Sequence, residues 1–217
     1  MGESTVSEAQ GEAGLERPFN LIIAGVGGQG NVLAIRLLGS ALLAQGYEVA
    51  VGEVYGLAQR GGSVASHLRF WKGAPRPPKV PEGQLDILLG FEPLEALRLL
   101  TQYGNPGTAV LVNADPVLPI GALLGKFDYP DVSKLLERMR GLAQPVVTVD
   151  AGSVSRELGV PQAMNTVMVG ALAGSELLPI SAADLEAQID LLMNERVRNV
   201  NHEAFAAGVR AAVKAAD

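Results

Sequence analysis

Hydrophobic residues along this chain follow two alternating patterns, short apolar runs and longer stretches with helical spacing. The apolar run at 19–24 is nearly continuous and ends at glycine, which is typical of a strand buried on both faces of a parallel sheet. Residues 32–43 carry apolar side chains three and four positions apart and predict a helix that Gly46 closes. The chain therefore begins with a strand, a glycine turn and a helix.

The same alternation continues to residue 150. Four prolines at 72–82 predict a loop that cannot join a central strand. Repeated alternation of strand and helix predicts an α/β fold, a single Rossmann-like domain at 18–217 with a mostly parallel sheet flanked by helices and a helical C-terminal part. The further predicted elements are strands at 47–54, 63–71, 86–91, 108–113 and 145–150 and a helix at 92–103.

The part of the chain after residue 150 is predicted to be helical. A short helix is expected at 153–158, a helix rich in small residues at 165–178, and one long helical pattern at 181–213. Ser181 and Asp184 predict a capped start, although Asp replaces the usual Glu or Gln of a capping box. The small residues at 165–178 permit close approach of another helix, either in a subunit contact or within the chain.

Two glycine clusters carry most of the candidate chemistry. The first, GVGGQGN at 25–31, opens the first helix, so its main-chain N–H groups can face a phosphate or another anion. The second, YGLAQRGGS at 55–63, adds the guanidinium of Arg60 and residues small enough for a ligand to approach the main chain. Together they predict an anion-binding cleft. The candidate cofactor-binding residues are Gly25, Gly27, Gly28, Gln29, Gly30, Asn31, Gln59, Arg60, Gly61, Gly62 and Ser63.

The first cluster also satisfies the G-x-G-x-x-G pattern of dinucleotide-binding proteins. Glu53, at the end of the second predicted strand, stands where a ribose-binding acid is expected. It could equally pair with Arg60. The spacing alone leaves nicotinamide, flavin, coenzyme A and an empty turn as alternatives.

Other polar residues have structural interpretations. His67 lies in a strand pattern and is interpreted as a hydrogen-bonded sheet residue in preference to a catalytic base. His202 is assigned to the surface or an interface, and two distant histidines make no metal site. Asn165 is interpreted as a helix cap in preference to a ligand, and Arg196 with Arg198 as a solvated face. No catalytic residue and no metal ligand is assigned to this chain.

Composition narrows the functional classes. The 217 residues are 48% hydrophobic, and 17 basic against 23 acidic residues give a net charge of −6, which argues against a general nucleic-acid or membrane binder. There is no cysteine, so the chain offers no thiolate to an iron–sulfur cluster. The polar segment 1–17 is expected to be a disordered tail without signal-peptide character. The apolar runs are too short to span a bilayer, and a cytoplasmic location is expected.

Three segments in order resemble one known family. GVGGQG at 25–30, YGLAQRGGSVASHLR at 55–69 and DILLGFEPLEA at 86–96 look like the gamma-type subunit or domain of 2-oxoacid (pyruvate or ketoacid):ferredoxin oxidoreductases. Within that family they are most similar to the free-standing beta subunit of the indolepyruvate enzymes. The likeness runs from about residue 19 to the C-terminal helix and includes Asn165 at the opening of a Met- and Gly-rich helix.

The resemblance implies a subunit of a heteromeric enzyme. Such enzymes decarboxylate a 2-oxoacid, here indolepyruvate or another aryl 2-oxoacid, on thiamine diphosphate, reduce ferredoxin and release an acyl-CoA. It implies that this chain covers the active site and helps bind coenzyme A, with Arg60 as the principal contact. Thiamine diphosphate, Mg²⁺ and 4Fe–4S clusters are expected on a larger partner subunit. The absence of cysteine, and of a Gly-Asp-Gly segment with a downstream Asn, agrees with that division.

Two other functions remain as alternatives. The first is a stand-alone nucleotide- or coenzyme-binding module that regulates without turnover. The second is an NAD(P)-dependent dehydrogenase that uses the glycine fingerprint directly. The residues at 59–63 favour the enzyme subunit, and the lack of an acid–base constellation argues against the dehydrogenase.

Overall fold

Six strands build a single sheet whose order departs from their order in the chain. The computed structural model describes residues 17–55, 62–118 and 120–216. Its strands are β1 Phe19–Val26, β2 Glu48–Tyr55, β3 Ser63–Trp71, β4 Ile87–Gly90, β5 Ala109–Asn113 and β6 Val146–Val149. They are arranged β2-β3-β1-β4-β5-β6. The sheet therefore grows in both directions from β1.

The two halves of the sheet differ in strand direction. β1, β4, β5 and β6 are parallel, whereas β3 is antiparallel to both β1 and β2. The predicted α/β fold with a mostly parallel sheet is confirmed. The link from β2 to β3 is too short for the crossover that parallel neighbours need, so these strands form a hairpin.

Helices cover both faces of the sheet. Consecutive residues of β1 point to opposite faces, so Ile23 enters the core beneath α1 and α6–α8 while Ile22 enters the core beneath α2 and α4. This explains why β1 is apolar at nearly every position. The helices are α1 Asn31–Ala44, α2 Pro93–Tyr103, α3 Ile120–Leu123, α4 Val132–Arg140, α5 Ala151–Glu157, α6 Met164–Gly174, α7 Ala182–Leu192 and α8 Glu195–Ala216, with a 3-10 turn at Pro161–Ala163. No helix in the described ranges is long and apolar enough to cross a membrane.

The prediction of a single long helix at 181–213 is wrong, because the helical conformation is interrupted between α7 and α8. The capping box is confirmed: the Ser181 Oγ accepts from the Asp184 N–H at 3.1 Å, and an Asp184 carboxylate oxygen accepts from the Ser181 N–H at 2.9 Å. At the other end of α7, Met193 is extended. Arg198 donates to the carbonyl oxygens of Asp190 and Met193 at 3.0 and 3.2 Å. Arg198 therefore stabilises the end of α7 and does not belong to a solvated face.

The small residues of α6 are used inside the chain. A Cβ on Gly170 would lie 2.1 Å from the Phe205 carbonyl oxygen of α8, and a Cβ on Gly208 would lie 2.0 Å from that of Val167. The two helices therefore touch backbone to backbone. The intrachain interpretation of this stripe is confirmed, and a subunit contact through it is excluded because α8 already occupies it.

The predicted tail is described only at its last residue. Residues 1–16 lie outside the described ranges, whereas the Arg17 guanidinium pairs with the Asp86 carboxylate at 2.6 and 3.1 Å. Arg17 therefore belongs with the start of the domain.

Candidate functional site

The first glycine cluster forms the turn between β1 and α1, at the carboxyl edge of the parallel strands. Gly28 and Gly30 have φ values of 106° and 84°, a left-handed backbone that glycine adopts without strain. A Cβ on Gly30 would also lie 2.2 Å from the Asn165 Nδ2. We call residues 27–30 the glycine turn. Its path depends on glycine at both positions.

Side chains within the cluster fasten the turn to the sheet. The Gln29 Oε1 accepts from the Val26 N–H at 2.8 Å, and its Nε2 donates to the Phe91 carbonyl oxygen at 3.1 Å. Asn165 donates to the Gly30 carbonyl oxygen at 3.3 Å. The helix-cap prediction for Asn165 is wrong, because α6 begins one residue earlier and Ala163 takes the cap position. Both amides therefore position the turn.

The main chain of the turn keeps its hydrogen-bond donors. Among the described residues, the N–H groups of Gly28, Gly30, Asn31 and Val32 have no acceptor. Those of Leu33 and Ala34 bond to the Gly30 carbonyl, as the first turn of α1. Unpaired N–H groups at a helix N-terminus attract anions through both hydrogen bonding and the helix dipole.

The described part of the second cluster, Gly62 and Ser63, contacts the first cluster. The Gly27 N–H donates to the Gly62 carbonyl oxygen at 2.8 Å, and Ser63 pairs with Val26 across the sheet. Gln59, Arg60 and Gly61 lie outside the described residues.

A cation that the sequence did not indicate lies at this junction. The Arg98 guanidinium donates to the Ser63 Oγ and pairs with Glu95 at 3.0 Å. Its side chain is 60% exposed. Arg98 and Ser63 are 35 positions apart, so no local pattern could have connected them.

Cavities open on both sides of the glycine turn. The larger cavity, of about 450 Å³, lies between the turn and the 151–164 segment. The smaller cavity, of about 300 Å³, lies toward α1 and β3 and is lined by Gly30, Asn31, Val32 and Val64. Val26, Gly27 and Gly28 belong to the walls of both. The remaining walls of the larger cavity are Gln29, Asn113, Asp115, Val117, Gly152, Ser155, Arg156, Pro161, Gln162 and Met164.

An ion pair forms one wall of the larger cavity. The Arg156 Nη1 lies 2.5 Å from the Asp115 Oδ2, and its Nη2 donates to the Ser153 Oγ at 3.0 Å. A Cβ on Gly152 would lie 2.0 Å from the same carboxylate oxygen, so glycine there makes room for the pair. The residues of the pair are 41 positions apart, and sequence reasoning missed both.

The carboxylate of Glu92 lies near this edge, but it is buried and hydrogen-bonded within the fold. Glu92 is fully buried, accepts from the Glu95 N–H at 2.8 Å and accepts from the Tyr129 hydroxyl. Burial raises the pKa of Glu92. The residue caps α2 and lines neither cavity.

The two histidines take structural positions. His67 is buried in β3, its Nδ1 accepts from the Val80 N–H at 3.3 Å, and burial lowers the pKa of the imidazole to about 4. The prediction of a hydrogen-bonded sheet residue is confirmed. His202 lies 3.0 Å from both the Glu186 and the Asp190 carboxylates of α7, and these interactions raise its pKa. Within the described ranges, no group of three His, Cys, Asp or Glu residues could hold a metal ion.

The dinucleotide interpretation of Glu53 meets a topological obstacle. Glu53 of β2 pairs with Ser66 of β3, which in turn pairs with Ile23 of β1. The acid is thus two strand spacings, roughly 10 Å, from β1. A ribose-binding acid is expected on the strand next to the glycine turn. The alternative pairing of Glu53 with Arg60 involves a residue outside the described ranges.

Comparison with known proteins gives a consistent result. The family described as pyruvate ferredoxin/flavodoxin oxidoreductase matches residues 20–211. Indolepyruvate oxidoreductase subunit IorB of Thermococcus kodakarensis is 38% identical over 202 residues, which cover 90% of this chain and 96% of that protein. The protein of the same name from Archaeoglobus fulgidus is 32% identical over 195 residues, with coverage of 90% and 96%.

Solved structures show the same fold. The gamma subunit of a keto/oxoacid ferredoxin oxidoreductase from Geobacter sulfurreducens aligns with a TM-score of 0.65 at 21% identity, covering 91% of this chain and 99% of that one. The 2-oxoglutarate:ferredoxin oxidoreductase of Magnetococcus marinus, solved with 2-oxoglutarate, coenzyme A and succinyl-CoA, aligns with a TM-score of 0.70 at 20% identity. That match covers 92% of this chain but 32% of the other.

Proposed function

The chain belongs to the pyruvate ferredoxin/flavodoxin oxidoreductase family, and we propose that it binds coenzyme A and covers the active site of a thiamine diphosphate-dependent 2-oxoacid oxidoreductase. The family that the segments 25–30, 55–69 and 86–96 resemble is confirmed. The chain is a non-autonomous subunit of a ferredoxin oxidoreductase, as its relatives are.

The 2-oxoacid of this proposal is indolepyruvate or another aryl 2-oxoacid. Its support is the name shared by relatives that are 30–38% identical over 90% of this chain. The partner is a larger subunit that carries thiamine diphosphate, Mg²⁺ and 4Fe–4S clusters and passes electrons to ferredoxin in a cytoplasmic heteromer. Thiamine diphosphate supplies the electron sink for decarboxylation. This chain has no cysteine and so contributes no thiolate to the clusters.

The observation that carries the proposal is the set of four N–H groups, at Gly28, Gly30, Asn31 and Val32, that have no acceptor among the described residues. Coenzyme A brings a pyrophosphate and a 3′-phosphate, anions that suit such donors. Gly28 lies between two cavities, so an extended ligand can cross the turn there. The Arg98 guanidinium donates to the Ser63 Oγ beside the turn and is itself paired with Glu95.

The second cluster completes the proposed site. Gln59, Arg60 and Gly61 connect β2 to Gly62, whose carbonyl contacts the glycine turn. We therefore assign them to a segment that closes over the phosphates, with Arg60 as a bidentate partner. The amides of Gln29 and Asn165 act indirectly, because both hold the turn in place.

The test compares two glycines that both have a positive φ and open space around the Cβ position. Gly28 and Gly46 both have positive φ, 106° and 77°, and a Cβ on either would meet nothing within 4 Å. Gly28 lies on the turn, whereas Gly46 lies at the opposite end of α1. In the assembled enzyme, with viologen reduction as the assay, Gly28→Ala should raise the apparent KM for coenzyme A about tenfold, the loss of roughly 1.4 kcal/mol of binding. Gly46→Ala should leave it unchanged.

Three results would contradict the proposal. The first is an equal effect of the two glycine variants, since strain alone would then explain it. The second is an unchanged KM for coenzyme A in Arg60→Ala. The third is full viologen reduction by the partner subunit without this chain, which would favour a regulatory module.

A further inference from the structure

The last residue of β5, Asn113, is a buried asparagine at the end of an otherwise apolar strand. It is 1% exposed and lines the larger cavity. Asparagine is depleted in strands, because its side chain competes with the main chain for hydrogen bonds. We propose that Asn113 is a positioning residue that sets the distance between the glycine turn and the cavity wall formed by Asp115 and Arg156. The inference rests on the proposed function, since it concerns how firmly that site holds coenzyme A.

The carboxamide of Asn113 makes four hydrogen bonds. Its Nδ2 donates to the Phe91 carbonyl oxygen at 3.3 Å and to the Asp115 carbonyl oxygen at 2.8 Å. Its Oδ1 accepts from the Asp115 N–H at 3.3 Å and from the Gly152 N–H at 3.4 Å. A carboxamide has two donors and can accept twice, so the side chain is fully used. Only one orientation of the amide satisfies two carbonyls and two N–H groups at once.

Two of these bonds are local and two join distant parts of the chain. The bonds with Asp115, two positions on, belong to an Asx turn, which asparagine forms with its own neighbours. Phe91 and Gly152, in contrast, are 22 and 39 positions from Asn113. Phe91 follows β4, and Gly152 lies in the first turn of α5. One side chain therefore joins three segments at the carboxyl edge of the sheet, which an Asx turn alone does not require.

The Phe91 carbonyl oxygen connects Asn113 to the glycine turn. This oxygen accepts from the Asn113 Nδ2 and also from the Gln29 Nε2 at 3.1 Å. The Oε1 of Gln29 in turn accepts from the Val26 N–H at 2.8 Å. Asn113 thus reaches the turn through one carbonyl and one further side chain.

The remaining bonds of Asn113 place the wall opposite the turn. The carboxylate of Asp115 pairs with Arg156 at 2.5 Å. Gly152 lies against the same carboxylate, because a Cβ there would be 2.0 Å from it. Both sides of the larger cavity are therefore hydrogen-bonded to one carboxamide. Without the distant bonds, the turn and the wall would no longer hold one separation, and binding would have to order them first.

A second asparagine, Asn105, provides a matched control at the other end of β5. Its Nδ2 donates to the carbonyl oxygens of Gly83 and Leu85, both at 3.1 Å, and its Oδ1 accepts from the Gly107 N–H at 2.9 Å. Asn105 thus combines an Asx turn with bonds to a distant segment, as Asn113 does, but it lines neither cavity. Serine at either position keeps an oxygen that can close the local turn and removes the longer reach.

The experiment compares the two serine variants in the assembled enzyme, with viologen reduction as the assay. Asn113→Ser should raise the KM for coenzyme A about fivefold and change kcat less than about twofold, whereas Asn105→Ser should change neither. Urea denaturation should show a similar loss of stability in both. Hydrogen exchange of the bonded N–H groups at Val26, Gly27 and Gln29 should become faster in Asn113→Ser alone. Equal exchange and equal KM in the two variants would mean a structural role only and would overturn the inference.

The route through Phe91 is tested by combining two substitutions. Gln29 connects Phe91 to the turn, so Asn113→Ser should raise the KM less than about twofold in a Gln29→Leu background. A full fivefold rise there would show that Asn113 does not act through the turn, which contradicts the inference. Asn113→Asp keeps the shape and both acceptor bonds, and it replaces the serine variant if that variant does not assemble, with the same expected rise.

The outcome for Gly28→Ala separates this inference from the proposed function. An unchanged KM for coenzyme A in Asn113→Ser, while Gly28→Ala still raises it, would overturn the inference and leave the proposed function standing. An unchanged KM in both variants would refute the two together.

Discussion

The two ends of β1 differ in whether their polar groups are hydrogen-bonded within the chain. At the amino end, the Asn20 N–H donates to Asp86 at 2.8 Å, its Nδ2 donates to the Gln84 carbonyl at 2.7 Å, and its Oδ1 accepts from Arg69 at 2.8 Å. At the carboxyl end, the glycine turn retains N–H donors with no acceptor among the described residues. Polar groups at the amino end are hydrogen-bonded within the fold, whereas the N–H groups at the carboxyl end are available to a ligand.

Arg69, near the amino end of β1, is buried and hydrogen-bonded within the fold. This arginine is 6% exposed and also donates to the Pro77 carbonyl oxygen at 2.7 Å. The proline-rich loop that the sequence predicted at 72–82 is therefore held over the β2–β3 hairpin. Pro78 packs there on Gly52, where a Cβ would lie 3.3 Å from its ring. A positive charge alone does not mark a binding site.

The largest effect on stability is expected at the amino end. Arg69→Met keeps the apolar stem but leaves Asn20 and the Pro77 carbonyl without their donor, and should lower the free energy of unfolding by about 3 kcal/mol. Urea denaturation measures the loss, and the KM for coenzyme A should not change. Arg76→Met, at an exposed arginine of the same loop, is the control and should cost less than about 0.5 kcal/mol. A raised KM in Arg69→Met would remove the contrast between the two ends.

A change at the carboxyl end should affect stability and binding together. Gln29→Leu leaves the Val26 N–H without its side-chain acceptor and removes one of the two side-chain donors of the Phe91 carbonyl, which keeps Asn113 at 3.3 Å, at a cost of about 2 kcal/mol. Because the turn is no longer held, the KM for coenzyme A should rise as well. Urea denaturation and steady-state kinetics give the two values, and Gln102→Leu, at an exposed glutamine near the C-terminal end of α2, is the control for both. A loss of stability with unchanged KM would show that Gln29 does not position the turn.

His67, a titratable residue of β3, is also buried and hydrogen-bonded within the fold. Its pKa in the folded state is about 4, below the unfolded value of about 6.5, so the unfolded chain binds more protons between these pH values. Stability should therefore fall by about 1 kcal/mol from pH 6.5 to 5.5 through this residue, a loss that ceases below the folded pKa. Urea denaturation at the two pH values should show a smaller difference in His67→Gln. An unchanged difference would mean that His67 is not held neutral.

The smallest effect is expected in the helices behind the sheet. The pKa of His202 is raised chiefly by Asp190, with Glu186 adding to it. Its stabilisation is therefore full below the unfolded pKa of about 6.5 and is lost as pH rises through the raised value. His202→Gln should cost about 0.5 kcal/mol at pH 6 and almost nothing at pH 9, with no change in KM. An equal cost at both pH values would contradict the charged pair.

Local signals in the sequence were sufficient for the strands and the glycine turn. β1 and α1 lie within two residues of their predicted bounds, because an apolar run, a glycine and a helical repeat are all read over a few positions. α4 was not predicted, since only Leu135 and Met139 of its nine residues are buried and the rest are mostly polar. The break between α7 and α8 was missed because helical spacing continues across it.

The candidate site was predictable only where it is made of main chain. The glycines predict the turn directly from the sequence, because φ values of 84° and 106° are unfavourable for most other residues. One wall of the larger cavity depends on a contact between distant segments, Asp115 with Arg156, and the junction of the two glycine clusters has another, Ser63 with Arg98. No window of a few residues contains both members of such a pair. The family resemblance, in contrast, identified the family of the chain without the geometry of the site.

The backbone contact between α6 and α8 sets a limit on how the protein can change over evolution. Gly170 and Gly208 admit no larger side chain without separating the helices, and Asn165 at the start of α6 holds the carbonyl of Gly30. A substitution deep in this helix pair would therefore displace the glycine turn. A genetic selection for lost enzyme activity should recover changes at these two glycines, which line neither cavity beside the turn.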